Sequence, residues 1–532
     1  MKSSFEVRPW HFSIPAIGYE QDVTLPHTWN ITDQVMHYRG EAVYETSLPI
    51  GEECRNKRVF LCFGAAYHSA AVYVNESLAG SHTRSGYTPF RIEITPFIRF
   101  GQDNQIKVIV SNAPNSQMLP FEKEFDWADD GGLIRQVTVE ICDQDGFSAL
   151  CVSYRLDKMD HATCNGQLFV HAAFWDGECR EAVITVTDAQ TGKTLFKEAR
   201  CLGQETAVLP FTGLKLWDVG SPHLYRVSVT TSNDTATQRI VLRRVEIKND
   251  IITLNGKQVF LKGCEWMPGS NPDYGMAEPI ACSIKFLAQL KNSGCVFTRF
   301  HWQQDDAIYD WCDENGLLVQ EEIPYWGSPK EATALQLDIA KQHASEMVLS
   351  HRHHPSIICW GVGNELNGTD ERTIAYVDQM YAFLKSLDDS RFVNYVSDTL
   401  GKPENEQKDD ATLHGDIPMW NDYLGLWQPC SDIASRIKKT AAKCQKRPLI
   451  ISEFGLCEPA FDGGDERRAQ ILTQRVAIYH SIENIAGYVW FSLNDYRTQY
   501  GECGEGKFRK RIHGSTDLYG KEKPSYQVLC RM

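Results

Sequence analysis

Nowhere in its 532 residues does the sequence carry a run of about 18 apolar residues, so it offers no helix able to span a bilayer. The first stretch, Met1 to Pro15, also lacks the apolar segment that a secretory signal needs, and the expectation is a soluble, cytoplasmic protein with no membrane partner. Cysteines are present, 17 of them, but they are odd in number, show no repeating spacing and form no CxxC pair. That excludes a disulfide framework and fits free thiols in a reducing compartment. Positive charge is in deficit: 54 basic side chains face 69 acidic ones, a net charge of −15. A nucleic-acid partner is thereby excluded, because such binding draws on phosphate neutralisation by Lys and Arg. Internal repeats, low-complexity segments and long linkers are absent too.

What the chain does have is length. Single hydrophobic cores stop growing near roughly 250–300 residues, so several domains are expected. Up to about Asp145, short strands such as Val59–Phe63, Ser69–Val74, Gln105–Val110 and Gln136–Ile141 alternate with glycine-marked turns, the texture of a β-sandwich. Strands continue from Ala149–Arg155 through Gln167–Trp175, Ala182–Asp188 and Tyr225–Thr230 to Gln238–Glu246, about the length of an immunoglobulin-like sandwich. After Lys248 the texture changes. Apolar runs at Val259–Gly263, Cys295–Phe300, Leu317–Glu321, Ile357–Gly361, Phe392–Val396, Ile417–Tyr423, Leu449–Ser452 and Gly487–Phe491 alternate with amphipathic stretches at helical period. Eight such units predict a (β/α)8 barrel. The expected division is therefore residues 1–147, 148–247 and 248–532: a β-sandwich, an immunoglobulin-like sandwich and a C-terminal TIM barrel.

Barrels place their chemistry at the C-terminal ends of strands. The fourth apolar run leads into Asn364 and Glu365, and the seventh directly into Glu453. Two carboxylates on different strands of one barrel mouth can flank a glycosidic bond, one attacking the anomeric carbon and one protonating the leaving oxygen. A lone Glu after a strand is usually a surface residue; two of them, one preceded by Asn, point to glycoside chemistry. His351, His353 and His354 invite a metal reading, but no Asp or Glu stands at ligand spacing beside them, so no metal site is assigned.

Motifs along nearly the whole chain resemble glycoside hydrolase family 2, the family of β-galactosidases, β-glucuronidases and β-mannosidases. They include Leu25-Pro26-His27-Thr28-Trp29-Asn30, Tyr38-Arg39-Gly40, Asp126 followed by Gly131-Gly132-Leu133-Ile134-Arg135, and Asn255-Gly256-Lys257 with Leu261-Lys262-Gly263. His354-Pro355-Ser356 through Trp360 to Gly363-Asn364-Glu365, then Ser452-Glu453-Phe454-Gly455 and Asp517-Leu518-Tyr519-Gly520, complete the series. The resemblance implies that the first sandwich is a jelly-roll-like sugar-binding domain and that the chain is a retaining exo-β-glycosidase with Glu365 as acid/base and Glu453 as nucleophile. It further implies Asn364 as donor to the sugar 2-OH, Tyr423 as a contact of the nucleophile, His301 as a contact of sugar hydroxyls, Trp490 as the floor under the ring, and Asp126 as a sandwich residue reaching the site. One departure stands out: the family's arginine falls three residues before the histidine, whereas here that position is Thr298 and the arginine is Arg299.

For the sugar, the expectation is a β-galactoside, taken from an oligosaccharide or small glycoside. The glucuronidases' Asn-x-Lys motif is replaced by Arg511-Ile512-His513, although the basic loop Lys507–Arg511 and Arg497 keep a β-glucuronide or β-galacturonide open. A carbohydrate-binding protein that has lost catalysis is the rival of another class. No cofactor is required by the resemblance. Some galactosidases of the family use magnesium or sodium, which the sequence does not decide, and a homo-oligomer is compatible with the architecture.

Overall fold

The computed structural model describes residues 3–120, 126–248, 250–327, 329–445, 447–498 and 501–532. A six-stranded antiparallel sheet, in the order Tyr19–Val23, Trp10–Ile14, Glu41–Ile50, Gln102–Ser111, Ser69–Val74 and Ser77–His82, packs on a four-stranded sheet. The latter runs Ser3–Glu6, Val137–Asp143, Lys57–Phe63, Phe90–Glu93. Their shared core takes Phe12, Tyr44, Val72 and Val108 from the first and Leu61, Phe63 and Val139 from the second. Glu41–Ile50 buries every second side chain, as a strand with one wet face must.

A second sandwich follows, pairing three strands (Phe147–Met159, Thr163–Phe174, Ala207–Lys215) with four (Thr194–Leu202, Arg180–Asp188, Tyr225–Thr230, Thr235–Ile240). The single strand expected over 238–246 is divided. Its latter half, Val245–Lys248, joins Ile251–Leu254 and Lys257–Gln258 in a separate small sheet. Between the halves, the buried Arg243 turns away to donate from Nε and Nη2 to the carbonyls of Pro355 and Ile357.

The remainder is a closed parallel barrel. Its strands are β1 (Leu261–Cys264), β2 (Phe297–Phe300), β3 (Leu318–Glu322), β4 (Ile357–Asn364), β5 (Phe392–Ser397), β6 (Met419–Asn421), β7 (Leu449–Phe454) and β8 (Ile485–Trp490). Around it lie α1 (Ile280–Asn292), α2 (Asp306–Asn315), α3 (Ala334–His351), α4 (Glu371–Leu387), α5 (Ile433–Lys443), α6 (Gly464–His480) and α7 (Pro524–Leu529). Only short 3-10 turns, Pro403–Asn405 and Ala411–His414, connect β5 to β6. Trp217, Val241, Ile252 and Leu254 from before the barrel pack on Leu261, Phe297, Ile358, Met419 and Val489, plugging the end away from the mouth. At the mouth, Tyr87, Trp127 and Ile134 of the first sandwich pack with Met267, Trp302, Phe491 and Tyr496. The first sandwich thus forms one wall of whatever the barrel mouth holds.

Candidate active site

Along β2 the side chains alternate, so Phe297 and Arg299 share a face with His301 just beyond the strand, and Thr298 turns the other way to donate to the Cys264 carbonyl at 2.9 Å. The displaced arginine is therefore aimed into the barrel. Fully buried, it donates from Nη1 to Glu453 Oε1 at 2.7 Å and from Nη2 to Glu322 Oε1 at 2.8 Å, with Glu265 Oε2 3.5 Å away. Glu322 finds room because β4 has glycine opposite: a Cβ on Gly361 would stand 2.8 Å from its carboxylate.

One guanidinium faces three carboxyls, and the surplus negative charge sets their protonation. Burial, set against attraction to Arg299, pushes Glu265 well above the usual carboxylate range, and repulsion from Glu453 and Glu322 adds to the rise. Glu322 goes the other way: against the effect of burial, Arg299 and His301 hold it below its ordinary value. Burial and Arg299 lower His301 to about 4, so its imidazole is neutral, with Nε2 3.1 Å from Glu265. Glu453 is raised to about 7, by burial first and then by the charge of Glu365; Arg299 and Tyr423 oppose the rise.

The chain delivers Glu453 through an irregularity. Pairing of β7 with both neighbours slips around Ser452 and Glu453, so that consecutive side chains enter the site instead of alternating. Glu453 Oε2 accepts from the Tyr423 hydroxyl at 3.0 Å, and Ser452 Oγ donates to Asn421 Oδ1 at 2.8 Å. With its oxygen so engaged, Asn421 turns its Nδ2 to Glu365 Oε1 at 2.8 Å and to Asn364 Oδ1 at 3.2 Å. Glu365 follows β4 with a left-handed backbone (φ 54°), a conformation costing a non-glycine residue on the order of 1–3 kcal/mol. Its Oε2 accepts from Trp326 Nε1 at 3.2 Å.

Glu365, Glu453, Asn364, Tyr423, His301 and Asp126 all line one cavity of about 330 Å³, along with Trp127, Trp326, Trp427 and Phe491. Trp490 does not. It lies on the opposite face of β8, wholly buried against Phe454 with its indole N–H on Ser515 Oγ at 2.9 Å, and the next residue, Phe491, meets the cavity instead. Asp126 crosses from the first sandwich to the last barrel loop, accepting from Arg511 Nη1 at 2.7 Å and Tyr496 Oη at 3.0 Å. Burial raises it to about 6 in spite of Arg511. The sequence reading missed Asn421 as a contact of Glu365, and Trp326, Glu322 and Phe491. Strand alternation could have found Phe491 and Glu322; Trp326 sits in a loop and leaves no such trace. Glu265, His301 and Glu453 bring ligand atoms close enough for a cation. Arg299, however, already brings a positive charge to 2.7 Å from Glu453 and 3.5 Å from Glu265, so this cluster does not suit one.

A model of the glycosyl hydrolases family 2 sugar binding domain matches residues 3–140, and one of that family's TIM barrel domain matches residues 245–490. Over 481 residues the chain is 28% identical to a β-glucuronidase of Bacteroides fragilis, covering 84% of this chain and 67% of that protein. Over 557 residues it is 26% identical to a β-galactosidase of Thermoanaerobacterium thermosulfurigenes, covering 96% and 73%. A solved β-D-glucuronidase from Dictyoglomus thermophilum superposes with a TM-score of 0.88 at 20% identity, over all of this chain and 96% of that one, which shows a shared fold.

Proposed function

The chain belongs to glycoside hydrolase family 2, and from that premise we propose that it is a retaining, exo-acting β-glycosidase with Glu453 as nucleophile and Glu365 as acid/base. The observation that carries this reading is the unequal holding of two carboxyls in one small cavity. Glu453 accepts from a guanidinium and a phenol, Glu365 from two neutral N–H groups. Charge-assisted bonds are the stronger ones, so the anion belongs on Glu453.

In the first step Glu453 attacks the anomeric carbon while the bond from that carbon to the leaving oxygen breaks, and Glu365 gives its proton to that oxygen. Glu365, now the carboxylate, then takes a proton from water as the water attacks the glycosyl-enzyme, which restores both groups. Asn364, whose Oδ1 is taken by Asn421, keeps its amide N–H groups for the sugar 2-OH. Phe491, Trp326 and the half-exposed Trp427 supply apolar faces for the ring and the departing group.

For the glycone we favour a neutral β-galactoside. Both long cationic side chains lining the cavity are already paired, Arg511 with Asp126 and Glu502, and Lys402 with Asp398 at 2.8 Å. A substrate carboxylate would have to share those cations with acids already beside them. The second reading, a β-glucuronide or β-galacturonide, is supported by Arg511 and His513 reaching the same cavity as the two glutamates. A panel of 4-nitrophenyl β-glycosides run against wild type, Glu453→Ala and Arg511→Gln separates them. Galactoside turnover lost in Glu453→Ala and largely kept in Arg511→Gln supports the first reading. Uronide turnover that collapses in Arg511→Gln supports the second, and turnover that survives Glu453→Ala overturns the mechanism.

A further inference from the structure

The three histidines before β4 offered no carboxylate at ligand spacing in sequence, and the fold supplies one from nearly 50 residues upstream. Asp306, the first residue of α2, places Oδ1 3.4 Å from His354 Nε2 and 3.5 Å from His351 Nε2. The ligand atoms of Asp306, His353 and His354 lie within 4.8 Å of one another. Two imidazole nitrogens and a carboxylate oxygen bound tetrahedrally to one zinc-like ion would stand about 3.3–3.5 Å apart, given metal–ligand distances near 2.0–2.2 Å.

The far side of each ring carries the second argument. His351 Nδ1 lies 2.7 Å from Glu321 Oε1, and His354 Nδ1 lies 2.8 Å from Asp313 Oδ2, both carboxylates being buried. A carboxylate on Nδ1 fixes the tautomer so that the Nε2 lone pair points outward, the usual support of a metal-bound histidine. His351 is wholly buried, and its Nε2 has no hydrogen-bond partner among the described residues. A buried imidazole nitrogen aimed at a shared carboxylate oxygen without bonding to it is an unfilled donor.

We propose that Asp306, His353 and His354, with His351 Nε2 3.5 Å from the same Asp306 oxygen, form a binding site for a divalent transition ion of the zinc type, separate from the cavity that holds Glu365 and Glu453. Imidazole and carboxylate donors favour zinc over magnesium or calcium, which take oxygen sets. The site ties the start of α2 to the end of α3 and to the turn that enters β4, the strand leading to Glu365. Its role is thus to brace the barrel, not to act on the sugar. The competing occupant is a proton, which would make His354 an imidazolium clamped between Asp313 and Asp306, with Asp310 and Arg239 of the second sandwich at the edge of the cluster.

The test uses the full chain, stripped with a chelator and with its thiols alkylated, since exposed cysteines would otherwise bind metal. Cobalt(II) is titrated and its visible ligand-field absorption followed, zinc is then added in competition, and bound metal is counted. The expected result is one ion per chain, a thermal midpoint raised by zinc, and binding at least tenfold weaker in both Asp306→Asn and His353→Gln. Asp306 is well exposed and Asp305 caps the helix, so the first variant should fold; His353 is partly exposed. Glu453→Gln should bind like wild type, which keeps this result distinct from any ion at the barrel mouth. No stoichiometric uptake at micromolar zinc, or equal uptake by Asp306→Asn, overturns the site and leaves the clamped imidazolium.

Discussion

The two sides of the barrel mouth are built on different physics. On one, Glu453 sits almost wholly buried in a network of ionisable groups, with Arg299, Glu322, Glu265 and His301 contributed by β1, β2 and β3 or the residues just beyond them. On the other, Glu365 is half-buried on a left-handed backbone and touches an amide and an indole, both neutral. The first arrangement fixes a charge in place. The second surrounds a carboxyl with neutral donors only, as the proposed acid/base role asks. Equal carboxyls in equal surroundings would compete for one role; unequal surroundings assign two.

The strongest challenge to this contrast is to remove each carboxyl in turn. Glu453→Gln should lower kcat by at least about 10⁴-fold whatever the leaving group, since no covalent step remains. Glu365→Gln should cost about 10²–10⁴-fold for a poorly acidic leaving group, the usual range of general acid catalysis, and far less in the first step for dinitrophenolate. Similar losses on both substrates would erase the distinction. Next in size, Arg299→Met strips the only guanidinium from among three buried carboxyls, and thermal or urea unfolding should report a loss of about 3–5 kcal/mol, the range for breaking a buried pair. A change below 1 kcal/mol would mean that the network is not holding charge.

A smaller effect comes from Tyr423→Phe, expected to lower kcat/KM about tenfold by removing a hydrogen bond to a charged group. Its pH profile is the sharper readout. A nucleophile must be ionised, so if Glu453 is one, wild-type kcat/KM should fall as pH drops through about 7, to which burial raises its carboxyl. Tyr423 opposes protonation of Glu453, so its loss should move the acid limb to higher pH; a limb that stays put or moves down contradicts the assignment. Smallest of all, Trp326→Phe keeps the ring and deletes the N–H on Glu365. It should slow turnover by roughly 2- to 10-fold without shifting the acid limb.

Periodicity made most of the barrel legible: the apolar runs locate all eight strands to within a few residues, and helices lie between most of them as the alternation predicts. It failed where a strand lacks a clean face. Thr194–Leu202 is mostly exposed and irregular in pattern, and Ala207–Lys215 carries Pro210 and Gly213, tolerable because it is an edge strand. In the site the limits were those of register. The slip in β7 brings Ser452 into the site beside Glu453, and at the end of β8 it is Phe491, not Trp490, that faces the cavity. Contacts such as Trp326 on Glu365, or Asp306 against His351 and His354, depend on loops and helix ends meeting in space, about which local pattern is silent.

The bond between Asp126 and Arg511 spans 385 positions of the chain. Because domains fold largely as they leave the ribosome, at about 5–20 residues per second, the first sandwich is complete for tens of seconds before its partner residue exists. A chain stopped before the last barrel loop would carry Asp126 without the cation that pairs with it. Only a chain made through that loop brings Arg511 to Asp126 and closes that side of the cavity.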